Sequence, residues 1–508
     1  MSFLFSVYVS FVLGALYAIH AFFLNRGSRI HAIPTVGGTS FPLLSYIYAA
    51  RSLTKTVDII QEGYTKYKGR CFKYAEQGHW CVVVTSPAAV DELAKAPENV
   101  LSFIAAKTDS LQIPYTLGPD IAHNFYHIPL IRTRLMRNAA RMFDDIRDEV
   151  VSAFSDHWQV QSAKGEHEWV SVGATDLALE VICRATNRVF VGLPICRNTD
   201  YLAVQKGFTM NVVLAAAFIK VFPEFMKPCV AQLCSYIPGS IDRVTRHLKP
   251  TITERLRNAE LSTADEHHPG KDSPNDLLQW LIETAPQGHE RTVPALVLRI
   301  LVVNFAALHT TSTMLTHTLY YLAAHPEHAA ALREEVERVV RADGWSKASL
   351  GNMRLIDGFL KEVCRVTGLS ASSLTRKAVQ DYTFADGTYI PKGTIVAAAS
   401  RDLQLEADHY VDPAVFDPRR YEGQGGSSKD DSARTDEHYL VFGHGQHTCP
   451  GRFFAVTELK VILAHIVVTY DVQLPGGSRS IPQPMWLGVS LIPNRKANVL
   501  FRKRDVCE

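Results

Sequence analysis

The sequence has almost no net charge: 53 Lys and Arg stand against 51 Asp and Glu, and no Lys/Arg block with interleaved aromatics occurs. A chain without a basic field does not gather phosphates, which argues against nucleic acid as a partner. It also lacks any C-x-x-C pair. Its nine cysteines, Cys71, Cys81, Cys183, Cys196, Cys229, Cys234, Cys364, Cys449 and Cys507, are odd in number and widely scattered. That is neither a disulfide framework nor a zinc-finger spacing, and it fits a reducing compartment in which most of these side chains are small buried hydrophobes. With 30 Gly and 25 Pro in 508 residues, 47% hydrophobic and 20% charged, collagen-like and disordered chains are excluded as well.

What is present begins at the N-terminus. Residues 3–24 carry no formal charge and are interrupted only by Ser6, Ser10, Gly14 and His20. A helix of that length at 1.5 Å per residue spans a hydrocarbon core of about 30 Å. A cleaved signal peptide would have a shorter apolar region, about 7–15 residues, behind a basic start that Met1-Ser2 does not provide. We therefore expect a membrane anchor over 1–25. Arg26 and Arg29 follow it and place the remainder in the cytosol by the positive-inside rule. Ile33-Pro34-Thr35-Val36-Gly37-Gly38 then breaks the helix, and 26–40 reads as a Pro/Gly hinge. No second charge-free stretch of transmembrane length is expected.

Beyond the hinge, Cys71-Phe72-Lys73-Tyr74 and the run 80–85 read as strands, and Ser86-Pro87 opens a helix by the cap-plus-proline signal. Helical periodicity dominates from about 88 to 370. The clearest element runs from Thr292, as its cap, through Pro294 to His325-Pro326, a helix of about 45 Å. Its middle, 302–308, is apolar apart from Asn304, which places it through a large core. After Leu369 the texture turns to strands, at 382–384, 389–390 and 394–398. The polar stretches 258–276 and 422–437 read as surface loops. The expected fold is mainly α with a smaller β part, a single domain over 41–508 behind the anchor.

The segment Phe442-Gly443-His444-Gly445-Gln446-His447-Thr448-Cys449-Pro450-Gly451-Arg452 sets one cysteine among glycines just before a helical run. Backbone N–H groups and a helix N-terminus would lower the pKa of a thiol there and favour its ionised, metal-binding form. Three readings are open: a structural cysteine in a glycine-rich turn, a zinc site from His444, His447 and Cys449, and a haem-iron thiolate. Zinc lacks a fourth ligand at a usual structural spacing.

Phe442-x-x-Gly445-x-His447-x-Cys449-x-Gly451 resembles the haem-binding pattern of the cytochrome P450 family, and three further segments stand in the family's order. Glu362-Val363-Cys364-Arg365 is similar to its Glu-x-x-Arg helix. Phe416-Asp417-Pro418-Arg419-Arg420-Tyr421 is similar to the segment that supplies a second arginine, here Arg420. Ala306-Ala307-Leu308-His309-Thr310-Thr311 lies on the long helix. The resemblance covers essentially the whole chain and implies a P450-like fold holding haem b, with Cys449 as the axial thiolate ligand of the iron. It implies that Phe442, Gly445, His447 and Gly451 cradle the haem and that Arg376 and His447 face its propionates. Glu362, Arg365 and Arg420 would form a structural network. Thr310, with His309 where the family usually has an acid, would manage protons. Arg132, Arg134 and Arg137 are left as a solvated helix face.

The activity so implied is monooxygenation of an apolar small molecule, with NADPH-derived electrons arriving through a cytochrome P450 reductase at the endoplasmic reticulum membrane. Residues 211–222 and 102–117 would line much of the chamber. His309 with His444 and His447 looks like fungal members that oxidise terpenoids and related secondary metabolites, the ent-kaurene oxidase-like group. Alternatives are a same-fold haem enzyme that rearranges or dehydrates without a reductase, and a membrane-anchored lipid-, haem- or zinc-binding protein.

Overall fold

The computed structural model describes residues 29–505 apart from 39–41, 77–78, 162–167, 235, 265–273 and 423–430. The expected anchor over 1–25 and Cys507 lie outside the described residues, as do parts of the hinge and of both polar stretches. The principal helices are α1 Pro42–Tyr67, α2 Pro87–Lys95, α3 Phe103–Leu111, α4 Ala139–Gln161, α5 Ala174–Phe190, α6 Thr199–Lys220, α7 Tyr236–Ala264, α8 Val293–Ala324, α9 Pro326–Asp343, α10 Arg354–Thr367 and α11 Arg452–Thr469. Strands β1 Phe72–Glu76, β2 His79–Val84, β3 Leu101–Ser102, β4 Val170–Gly173, β5 Ser373–Ala378, β6 Tyr382–Thr383, β7 Tyr389–Ile390 and β8 Ile395–Ala398 are joined by four more toward the C-terminus. The fold is mainly α with a smaller β part.

Local chemistry explains where several elements begin. Ser86 accepts from the Ala89 amide and Pro87 opens α2, as the cap-plus-proline signal predicts. Ser102 accepts from the Ala105 amide at the start of α3, and Asn198 from the Tyr201 amide at the start of α6. The N-terminus of α10 is capped from another element: Glu335 on α9 accepts from the amides of Leu355 and Ile356 at 2.9 and 3.0 Å. Thr292 stands at the cap position of α8 but does not cap it, because its hydroxyl donates to the His289 carbonyl at 2.9 Å instead.

Helix α8 is the axis of the molecule. It packs against α5, α6, α7, α9, α10 and α11, and most of its residues are buried in one large apolar cluster. Asn304, fully buried, survives there because its amide exchanges hydrogen bonds with Asn187 on α5, whose carbonyl also receives the Tyr201 hydroxyl. From Ile300 to Ala324 the helix carries no formal charge, so the expectation of no second charge-free span fails. Both α6 and α8 are long and apolar enough to cross a membrane, yet each is packed into the folded domain. Their hydrophobicity reflects burial against other helices.

A second apolar cluster lies in the five-stranded sheet of order β1-β2-β8-β5-β3. β8 runs parallel to β2 and antiparallel to β5. Strand β5, between β8 and the edge strand β3, carries the buried Arg376, and β3 leads directly into α3. The eight cysteines among the described residues are unpaired, and six of them are buried, as the composition suggests.

Candidate active site

The cysteine segment folds as a tight loop between Leu440 and the start of α11. The Cys449 amide donates to the Phe442 carbonyl at 2.8 Å, Gly443 to Leu440 at 2.9 Å, and the Thr448 hydroxyl to the Gly445 carbonyl at 2.6 Å. Gly445 is required twice over: its φ is +71°, and a Cβ on it would stand 2.6 Å from the Ala94 carbonyl at the end of α2. Phe442 is buried beneath the loop, and Gly451 is the residue from which α11 departs.

The Cys449 thiol is pushed up by burial; the Gly451 amide, the Arg452 charge and the Arg452 amide oppose the shift without cancelling it. The expected donors are present, but the expectation of a lowered pKa is not met, because removing sulfur from water outweighs partial charges at one helix end. The ionised form therefore depends on a cation supplied by a ligand.

The zinc alternative fails on placement. Among the described residues His444, His447 and Cys449 do not gather their ligand atoms; the one cluster of three potential ligands is His325, Glu327 and His328, at the junction of α8 and α9. His444 instead faces Thr435 and Asp91.

On α8, Ala306 and Thr310 are exposed in the middle of an otherwise buried helix, which marks an interior space along that face. The Thr310 hydroxyl donates to the Ala306 carbonyl at 2.9 Å and lies 3.3 Å from that of Ala307, so its lone pairs are free to accept. His309 points elsewhere: its Nε2 lies 3.0 Å from the Lys206 carbonyl on α6 and donates to it. Burial lowers its pKa, with the Lys206 carbonyl opposing. The ring thus ties α6 to α8.

Arg376 is almost fully buried. One nitrogen donates to the adjoining Thr375 carbonyl at 3.1 Å, while Nε and the other terminal nitrogen have no partner among the described residues. Burial lowers its pKa to about 10, with Glu98 opposing. A buried guanidinium with two unmet donors calls for an anion. His447, the other expected propionate partner, stands beside Glu98: its Nε2 lies 2.9 Å from the carboxylate without hydrogen-bond geometry, and its ring stacks on Phe103 at 5.0 Å. Arg132, read as solvated, in fact reaches the cysteine loop and donates to the Gln446 carbonyl at 3.1 Å. Arg134 pairs with Glu283.

The Glu362 network is assembled as expected and is larger. Arg365 donates to Glu362 through two nitrogens at 2.8 and 2.7 Å, Arg420 at 3.0 Å, the Asp417 amide at 3.1 Å and the Tyr421 hydroxyl at 3.0 Å. Glu362 and Arg365 are fully buried. Gly358, one turn before Glu362, admits the incoming segment, since a Cβ there would stand 2.4 Å from the Pro418 carbonyl.

These residues fit a thiolate-bound haem: a single half-buried sulfur facing amide donors, an orphaned buried guanidinium, and open positions on a core helix. The cytochrome P450 family model matches residues 36–501. The chain belongs to the cytochrome P450 family. Curated fungal relatives span nearly all of it. Cytochrome P450 monooxygenase 151 of Postia placenta is 39% identical, covering 95% of this chain and 96% of its own. Cytochrome P450 monooxygenase CYP512U6 of Ganoderma lucidum is 33% identical over 94% and 92%, and paxQ of Penicillium paxilli 30% over 97% and 96%. The chain is thus a P450 monooxygenase, an oxidoreductase with haem-thiolate iron, and the reading as a binding protein without activity is set aside.

Sequence reasoning missed Glu98, Tyr421 and Gly358. Tyr421 directly follows Arg420 in the quoted motif, and Glu98 precedes the Ser102 cap by four residues; Gly358 carries no local signal.

Proposed function

We propose that this P450 hydroxylates, or further oxidises, an apolar small molecule of the terpenoid or related fungal secondary-metabolite class. Electrons come from an NADPH-dependent flavin reductase, and the catalytic domain is held at the cytosolic face of the endoplasmic reticulum by the 1–25 anchor and 26–40 hinge. The observation that carries the reading is the pair of open positions, Ala306 and Thr310, on a helix otherwise buried. When bound, haem ligated by Cys449 supplies dioxygen activation. The chain's own part is positional. Ala306 keeps the chamber free of bulk, α3 and α6 pack together beside α8, and Arg376 offers its unmet donors to an anionic group. Thr310 holds a hydroxyl that can pass a proton into the chamber by releasing the Ala306 carbonyl.

Full-chain protein reconstituted with a fungal reductase and NADPH should turn over members of a diterpene and triterpene panel, read by mass spectrometry as products heavier by one oxygen. NADPH consumption without product across that panel, in protein with a normal reduced-CO band, would remove the terpenoid assignment. Thr310→Ala should keep NADPH consumption while diverting most of it to peroxide, with product yield falling about a hundredfold, the lower end of the range for positioned proton transfer. Undiminished product would take Thr310 out of the mechanism.

A further inference from the structure

Where α8 ends and α9 begins, three metal-ligating side chains converge at the edge of the solvent. Ligand atoms of His325, Glu327 and His328 all lie within 4.8 Å of one another. His325 Nδ1 stands 3.3 Å from a Glu327 oxygen, the separation of two ligands each about 2.0–2.1 Å from one tetrahedral zinc. Packing holds both imidazoles in place. His325 stacks on Phe416 at 5.3 Å and on Tyr321 at 6.2 Å, while His328 makes T-shaped contacts with Phe416 at 5.8 Å and Phe359 at 6.4 Å. Pro326 fixes the backbone between them, and the His328 amide donates to the His325 carbonyl at 3.0 Å. Two neighbouring cations oppose a metal: Arg479, 3.4 Å from the second Glu327 oxygen, and Arg419, whose charge reaches His328. The Arg479 side chain is 67% exposed and can withdraw into water; the Asp417 charge acts on His328 in the opposite sense to Arg419.

We propose that His325, Glu327 and His328 form a binding site for a divalent transition metal of the zinc class, with water completing its coordination. Two imidazoles and one carboxylate suit zinc, nickel or copper, whereas calcium and magnesium require oxygen ligands. The site uses none of the residues assigned to the haem. Bound metal pins the end of α8 to the first turn of α9 beside Phe416. That ring directly precedes Asp417, whose amide donates to Glu362, so occupancy braces the segment that completes the Glu362 network.

The test uses full-chain haem-loaded protein dialysed against a chelator that leaves haem iron in place. Zinc chloride is titrated in competition with a chromophoric chelator, and urea unfolding is followed with and without zinc. His328→Phe removes a ligand but keeps an aromatic ring against Phe359 and Phe416. His289→Ala is the control, a histidine elsewhere whose side chain is 77% exposed. The parent should bind about one zinc per chain at this site, undisplaced by excess magnesium. His328→Phe should bind it at least about tenfold more weakly, since loss of even a supporting hydrogen bond costs about 10–100-fold. His289→Ala should match the parent. Zinc should raise the urea midpoint of the parent and leave that of His328→Phe unmoved. Equal zinc affinity in parent and His328→Phe, displacement by magnesium, or a parent midpoint indifferent to zinc overturns the proposal. Should His328→Phe fail to fold, Glu327→Gln, at a half-exposed position, carries the same comparison: weakened zinc binding supports the site and parent-like binding overturns it.

Discussion

Cys449→Ser should yield a folded chain without the strongly red-shifted reduced-CO band and without detectable NADPH-dependent product. The loop around position 449 is held by the Phe442 carbonyl, the Gly445 carbonyl and the fit of Gly445 against Ala94, none of which uses the sulfur. The substitution changes one atom and leaves the cradle standing. What is lost is the soft anionic ligand, which a hydroxyl of far higher pKa does not replace. Circular dichroism matching the parent, with the band absent, is the expected pair of results. A normal band in Cys449→Ser would mean that another residue ligates the iron.

Glu362→Gln should be among the most damaging single substitutions in the chain. The carboxylate receives five donors, and Arg365, buried with it, would keep its charge with no anion beside it. Breaking a buried pair from one side costs about 3–5 kcal/mol, whereas an exposed pair contributes about 0–1 kcal/mol. Arg419→Ala is the internal control, since the Arg419–Glu422 pair is exposed on both sides. Haem content per chain and the urea midpoint should fall sharply in the first variant and hardly move in the second. Burial alone would raise the Glu362 pKa, but Arg365, the Asp417 amide and Arg420 bring it below the ordinary carboxylate value. A depressed folded-state pKa gives stability that is complete above the unfolded value and lost as pH falls through the folded one. Acid should therefore reproduce part of the Glu362→Gln phenotype in the parent protein.

Much of this was legible because it is written locally. Glu362 and Arg365 share a helix face by their spacing, the cysteine segment announces its turn through its glycines, and α8 declares its burial through an unbroken apolar middle. What the sequence hid depends on contacts between distant segments. Nothing near Glu98 says that it holds the first turn of α3 and stands beside His447. Gly358 is an ordinary helix glycine until Pro418 arrives against it. The Cys449 thiol has its expected donors, yet depth of burial, which no local pattern encodes, sets the net direction. His309 and His447 were assigned by position in a motif; their partners, Lys206 and Glu98, come from α6 and from the chain just before β3.

Glu362 also has a consequence for chain topology. Its donors come from α10 on one side and from residues 417–421 on the other, and between those ends the chain makes its whole excursion through β5, β6, β7 and β8. Arg365 adds to the far anchor by donating to the Gln404 and Pro413 carbonyls, in the chain between β8 and residue 417. The excursion is therefore a tethered loop. The entropic penalty of closing it grows only slowly with its contour length, so slack introduced at the exposed Asp386-Gly387 turn stays within the loop and does not pull on its anchor points. Arg376 rides on the first strand after the tether, nearest the fixed end, where positional drift is least.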